Sequence, residues 1–461
     1  FRAATTFAAL NFFFVLKYSQ HIAATLTLSL KQINSVYDLH QEGATIPFIA
    51  RYRKEATGNL DEVAIADVIE QIKYFTELEK RKETVIKTIE DAGKMTTELK
   101  KRIEDCVNAT ELEDIYLPYK PKRKTKATVA VEKGLEPLAK LIYEQGGVNP
   151  EEEATKFITE QVKDVAEALQ GAIDIIAEWV SENEQARNLV RKLFTEEAVV
   201  SSRVLTTKKE EEDAQKYRDY FEFKEPLAQS PSHRILAIRR GEKEGFLIMT
   251  INIDKETAVE ELKRVLLKSS TPAAKQVAVA IEDAYNRLLQ PSIETEFRMA
   301  SKTKADEEAI RVFAENLRQL LLASPLGQKR IMAIDPGFRT GCKVVCLDEH
   351  GTFLKYNTIF PHAPQNDKYG ATQTIKELVT AFNIEAIGFG NGTASKETEE
   401  LVRGIDFGKQ VSIFMVNESG ASIYSASEVA REEFPDEDVT VRGAISIGRR
   451  LLDPLSELVK I

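Results

Sequence analysis

Asp335 and Glu418 are the side chains best placed to do chemistry in this chain. Asp335 ends the apolar run RIMAID and is followed by Pro336-Gly337-Phe338-Arg339-Thr340-Gly341, a turn that proline stiffens and glycine opens. A carboxylate held rigidly at a strand end can bridge divalent metals that position and charge-stabilise attack on a phosphodiester. An Asp that simply closes a turn has the same local sequence. Glu418 follows the apolar run VSIFMV, in Val416-Asn417-Glu418-Ser419-Gly420. Ligands gather at the carboxyl ends of parallel strands, so two acids at two such ends can face one cleft. Glu418 could equally cap its own turn. A metal pair usually needs a third carboxylate, and Val439-Thr440-Val441-Arg442-Gly443-Ala444 offers Arg442 in that place. No metal or cofactor is therefore expected; Mg²⁺ or Mn²⁺ enters only if the chain is a nuclease.

Other segments suggest binding rather than catalysis. Tyr116-Leu117-Pro118-Tyr119-Lys120-Pro121-Lys122-Arg123-Lys124-Thr125-Lys126 crowds five cations into seven positions, between two tyrosines and two prolines. Like-charge repulsion suits such a loop to an anionic backbone, with a log-log salt slope of about −0.7 per phosphate contact on single strands. Its tyrosine rings could stack on bases; a merely solvated loop is the alternative. Arg51, Arg53 and Lys54 in IARYRKE form a smaller cluster, with a helical face packed against carboxylates as the default reading. Gly388-Phe389-Gly390-Asn391-Gly392-Thr393 runs from a strand toward a helix N-terminus, where a phosphate could sit. It lacks both the P-loop ending and the dinucleotide fingerprint, and Glu397, Glu399 and Glu400 follow it, so an ordinary tight turn is favoured.

Cysteine chemistry is excluded. Cys342 and Cys346 share one strand face about 13 Å apart at ~3.3 Å per residue, whereas a disulfide needs Cα atoms within ~7 Å. Five scattered histidines make no zinc spacing.

The elements that must position these groups change character along the chain. From Ser29 to Ala323 the pattern is mostly helical. Ile65, Val68, Ile69 and Ile72 repeat at i, i+3, i+4, i+7, as do Val165, Ala168, Leu169, Ala172, Ile173, Ile176, Trp179 and Val180. Asn149-Pro150-Glu151-Glu152-Glu153 reads as a cap, a first-turn proline and dipole-matching acids. RILAIRR and GFLIMTINI, joined by Gly241-Glu242-Lys243-Glu244, predict a β-hairpin over 234–253. After Gly327 three strand candidates (RIMAID, CKVVCLD, TFLKYNTIF) precede helix, strand, helix, strand, helix. That order predicts an α/β domain with a mixed sheet.

Composition sets the frame. With 461 residues, 63 Lys+Arg, 73 Asp+Glu and 3 Cys, the chain reads as a multidomain globular protein of net charge −10 in a reducing cytoplasm, without a disulfide scaffold. Any nucleic-acid contact must be local, because the total charge is acidic. The opening FRAATTFAALNFFFVLK is too short to span a bilayer, which takes ~20 residues; an amphipathic helix or a mispredicted start is expected there rather than a leader. Phe1 in place of Met, and LLDPLSELVKI stopping inside an apolar pattern, point to a fragment that continues past Ile461.

Together these motifs resemble the Tex family of bacterial transcription accessory proteins. The likeness runs through GATIPFIARYRKEATGNLDE, YLPYKPKRKTKATVAVEKGLEPLA, IDPGFRTGCKVVCLD, GNGTASKETE, NESGASIYSASEVAREEFPD and RGAISIGRRLLDPLSELVKI, from about residue 21 to the end. It leaves residues 1–20 outside. The resemblance implies a helical N-terminal domain over 21–205 and a central helical region over 206–326 that holds the hairpin. It further implies a YqgF-type, RNase H-like domain over 327–445, and over 446–461 the start of a helix-hairpin-helix module. An OB-fold RNA-binding domain would lie beyond. Asp335 matches the first catalytic carboxylate of YqgF-like nucleases and Glu418 the second. The third falls near Arg442-Gly443, where there is no acid. A guanidinium there would oppose divalent-ion binding but could hold a phosphate.

The leading expectation is thus a non-enzymatic protein that binds nucleic acid, RNA before DNA, beside RNA polymerase or the transcription machinery, with no membrane role. Lys120, Lys122, Arg123, Lys124, Lys126, Arg51, Arg53, Lys54 and Arg442 are its candidate contacts. A metal-dependent nuclease using Asp335 and Glu418, or a protein-interaction scaffold, are the alternatives.

Overall fold

The computed structural model describes residues 17–121 and 124–461. The chain divides into two compact units, the first ending at Thr303 and the second spanning Lys304–Ile461. The helix expected near the start lies largely outside the described residues, as do Lys122 and Arg123. Among the described residues, no helix is long and apolar enough to cross a membrane.

The first unit is helical because its apolar residues recur at helical spacing. Helix Glu62–Asp91 starts where the Asp61 carboxylate accepts from the Ala64 N–H, and it buries Ile65, Val68, Ile69 and Ile72 as the periodicity predicts. Phe75 on the same face stacks on Tyr18 at 4.3 Å between ring centroids. Asn149 caps helix Pro150–Ala154 by accepting from Glu151. Helix Val165–Glu182 buries Ala168, Ala172, Ile173, Ile176 and Val180.

The small sheet is not the expected hairpin. RILAIRR is helical, inside Ser232–Lys243, with Ile235, Ile238 and Gly241 on its buried face. Only the second half is a strand. β3 (Leu247–Asn252) pairs antiparallel with β1 (Val199–Val204), which also pairs antiparallel with β2 (Glu222–Pro226), in the order β2-β1-β3. Ile235 and Ile238 satisfy a helical i, i+3 rule, and the four-residue turn that would have joined two strands continues the helix instead. The strand pairing also crosses the 205/206 boundary expected from sequence.

In the second unit the order of elements is as expected. β4 (Ile331–Asp335), β5 (Cys342–Leu347), β6 (Phe353–Ile359), β7 (Ala386–Gly390) and β8 (Ser412–Val416) form one mixed sheet in the order β6-β5-β4-β7-β8. β4, β7 and β8 are parallel; β5 and β6 run antiparallel to their neighbours. One face of the sheet, with Met332, Ile334, Cys342, Val344 and Cys346, packs on Ile375, Val379 and Val402. Helices Lys368–Ala381 and Ser395–Arg403 supply those three residues. The opposite face, with Ala333, Val345 and Leu347, packs on helix Val439–Leu452 through Val441, Ala444, Ile445 and Ile447. Cys342 and Cys346 are free thiols buried in the first of these layers.

Helix Val439–Leu452 spans the expected boundary at 445/446. It runs unbroken across that point, and Ile447, Gly448 and Leu452 are buried with the rest of it. A Cβ on Gly448 would come within 2.6 Å of Leu347 and 2.9 Å of Ala333, so the helix lies directly on the sheet there. A short helix, Pro454–Leu458, follows.

Candidate functional site

The parallel strands β4, β7 and β8 end side by side, and each contributes to one site. Asp335 is the last residue of β4 and is paired in register with Lys343 of β5. Burial pushes its carboxyl up to about 6; the Glu418 charge adds to this and Lys343 opposes it. Two like charges are thus held within electrostatic reach of each other.

Glu418 stands two residues beyond β8 and is locked to the end of β7. Its backbone N–H donates to Asn391 Oδ1 at 3.2 Å, and the Asn391 N–H donates to the Val416 carbonyl at 3.1 Å. Its carboxylate occupies space that only glycines leave open. A Cβ on Gly390 would lie 2.0 Å from Oε2, and one on Gly392 would lie 1.8 Å from Oε1. Gly390 ends β7 and Gly392 lies in the bend that follows, and together they form the cradle for Glu418. Arg450, itself buried, donates Nη1 to the carbonyls of Asn417 at 2.9 Å and Ser419 at 2.7 Å, one on each side of Glu418. Burial draws its guanidinium below the ordinary value, against the pull of Glu457 and Glu418. Neither Asn391 nor Arg450 was found from sequence. The closely spaced glycines of GFGNG were the available signal for the cradle; Arg450 left none.

Arg442 does not enter this cleft. Its Nε donates to the Phe434 carbonyl at 2.9 Å, bracing the loop ahead of its own helix. The helix residue that faces the acids is Gly443, whose Cβ position lies 3.6 Å from Asp335 Oδ2. Consecutive helix residues point about 100° apart, so only one of the two can face the cleft. Tested against a divalent metal pair, the donor set is two carboxylates and a glycine, and it does not fit. Among the described residues, no three His, Cys, Asp or Glu side chains come together as a metal site.

The basic segments lie in the first unit. Lys120, Lys124 and Lys126 are exposed. Lys124 makes a solvated 3.4 Å ion pair with Glu132, and Lys126 opens helix Lys126–Glu132 after a Thr125 capping box. The tyrosines beside them are not free to stack. Tyr116 is buried beneath the Arg81 guanidinium, and Tyr119 packs against the N-terminal core. Arg51, Arg53 and Lys54 are not packed against carboxylates, as the default had it; all three are exposed.

The second unit is thus an α/β domain whose five-stranded mixed sheet carries acids at the ends of β4 and β8, two parallel strands with β7 between them. Sequence comparison gives the second step. Residues 16–90 match the Tex-like protein N-terminal domain, 145–313 the Tex central region-like family, and 329–452 the Tex protein YqgF-like domain. The chain belongs to the Tex family. It is 44% identical over 454 residues to a Bacillus subtilis protein named YdcI, covering 96% of this chain and 62% of that one. The Neisseria gonorrhoeae transcriptional accessory protein Tex is 40% identical over 453 residues, covering 96% and 58%. The human S1 RNA-binding domain-containing protein 1 is 32% identical over 448 residues, covering 93% and 44%. The chain thus spans about three-fifths of the length of its bacterial relatives.

Proposed function

We propose that this chain is the nucleic-acid-binding, RNA-leaning part of a transcription accessory protein, and that its YqgF-like domain does not hydrolyse phosphodiesters. The observation that carries the second half is Gly443. The helix places this residue against Asp335, and a glycine supplies no third carboxylate. Binding is supported by the exposed Lys120, Lys124 and Lys126, which stand on an otherwise acidic chain. The names of the gonococcal and human relatives support a transcription role and RNA as ligand. The transcription machinery is the partner class we assign, and no cofactor is required.

A second reading has its own support. The Asp335–Glu418 pair is intact and glycine-cradled, as a nuclease would keep it.

Cleavage and binding assays on one preparation separate the two. With Mg²⁺ or Mn²⁺ and single- or double-stranded RNA and DNA, we expect no cleavage products. Metal-dependent cleavage that disappears in Asp335→Asn would establish the nuclease. In a salt titration of RNA binding, replacing Lys120, Lys124 and Lys126 together by Gln is expected to flatten the log-log slope by about 2, at ~0.7 per contact. An unchanged slope removes the loop from the interface.

A further inference from the structure

Of the rings that the sequence placed beside the basic loop, Tyr116 is buried and Tyr119 half-buried against the core, and exposed rings stand in the other cationic segment. Helix Ile46–Tyr52 buries one residue, Ile49, which anchors it in the N-terminal core. Around that anchor, Phe48 is 39% and Tyr52 63% exposed. The two rings are one helical turn apart, with centroids 5.4 Å apart and planes tilted by 47°. The next residue, Arg53, lays its guanidinium over the Phe48 ring at 5.1 Å and donates Nη1 to the Tyr52 carbonyl at 3.2 Å. Arg51 and Lys54 flank the pair and are exposed. Between residues 46 and 56 the single acid is Glu55, so the segment carries three cations against one anion.

A folded chain gains little by leaving two adjacent aromatic rings in water, and each ring offers a face on which any base can stack. Three cations at the rim are complementary to a phosphate backbone. Arg53 over Phe48 supplies a guanidinium plane as well as a charge, and both stack on bases. A duplex hides its base faces, so rings and cations together select a single strand.

We propose that segment 48–54 is a stacking platform for single-stranded nucleic acid: Phe48, Tyr52 and the Arg53 guanidinium receive bases, and Arg51 and Lys54 hold the flanking phosphates. This deepens the nucleic-acid-binding reading and rests on it. The site adds a sequence-tolerant grip in the first unit, separate from the basic loop.

The test uses the whole 461-residue chain and fluorescence anisotropy with a single-stranded oligouridylate, alongside a duplex of the same length. Phe48→Leu with Tyr52→Leu keeps apolar volume but removes both rings, and circular dichroism checks that helix content is kept. We expect single-strand affinity to fall about tenfold or more, with an unchanged salt slope and unchanged duplex affinity. Arg51→Gln, Arg53→Gln and Lys54→Gln together are expected to flatten the slope by about 2. A 4-thiouridine probe should crosslink within residues 46–54. Full affinity in the ring variant, with a loss in the loop variant, overturns the platform and leaves RNA binding standing. Full affinity in both variants overturns the platform and the loop alike, and no single-strand binding by the unsubstituted chain overturns the RNA-binding reading with them. Ring-dependent binding to phosphatidylserine vesicles, with oligonucleotide affinity intact, also overturns the platform and assigns the surface to a membrane.

Discussion

Two clusters of ionisable side chains in this protein are built on opposite terms. In the first unit Arg187 and Arg191 are interleaved with Asp114 and Glu296. Arg187 donates Nε to Asp114 Oδ1 at 2.7 Å and Nη2 to Glu296 Oε1 at 2.6 Å. Arg191 donates Nη1 to Asp114 Oδ2 at 2.5 Å and Nε to Glu296 Oε2 at 2.7 Å. Two cations meet two anions, and three helices (Ala109–Tyr116, Glu184–Glu197 and Gln290–Leu321) are tied by bidentate bonds. At the strand ends of the second unit two like charges act on one another: burial first and the Glu418 charge second raise Asp335 to about 6, with Lys343 opposing. Paired charges consolidate a structure. Like charges held together weaken it.

That contrast can be broken most readily at the quartet. Arg187→Met leaves Asp114 buried with half its partners, and losing one member of such a network typically destabilises by about 3–5 kcal/mol. Denaturant unfolding of the full chain should show a drop of that size; a loss under about 1 kcal/mol would mean the quartet adds little to the fold.

Asp335→Asn should do the reverse. The folded pKa of about 6 exceeds the ordinary 3.8, so the native state holds the proton more tightly than the unfolded chain. Stability from this group is full below pH ~4 and is lost as pH rises through ~6. The substitution should therefore stabilise by on the order of 2 kcal/mol at pH 7, discounted from ~3 for partial exposure. That gain should vanish near pH 4. Thermal melts of both proteins across this range decide it, and a pH-independent difference would show that the carboxyl does not titrate as described.

Gly443→Asp sharpens the comparison by completing the acid set. Its Cβ would meet Asp335 Oδ2 at an ordinary 3.6 Å, so the change fits sterically and adds a third like charge. Without metal we expect a loss of about 1 kcal/mol. Mn²⁺ at ten times its Kd should return about 1.4 kcal/mol to the variant and nothing to the parent. Equal Mn²⁺ responses in calorimetry would show that the glycine is not what limits metal binding.

Much of the acid site was legible in the sequence. Apolar runs ending in Asp335 and two residues short of Glu418 mark strand ends, and a strand's period of two is local information. The missing third acid could also be placed to within one residue. Which of Arg442 and Gly443 faces the cleft could not, because helix phase is set by packing on the sheet. RILAIRR was misread because two isoleucines three apart, with a leucine between them, fit a short strand as well as a helical face. Tyr116 was misread because burial depends on which helices cover it, and the ring lies under Arg81 from a distant turn of chain.

The amino-acid sequence alone determined the family, the mixed α/β sheet and the two acids, since periodicity, strand-end residues and motif order are properties of the chain read in line. Tertiary structure alone decided that glycines cradle Glu418, that Arg442 turns away, that four charges from remote segments neutralise one another, and that Phe48 and Tyr52 stand exposed while Tyr116 is buried. Each of these depends on distances between parts of the chain far apart in sequence, and only packing sets those distances.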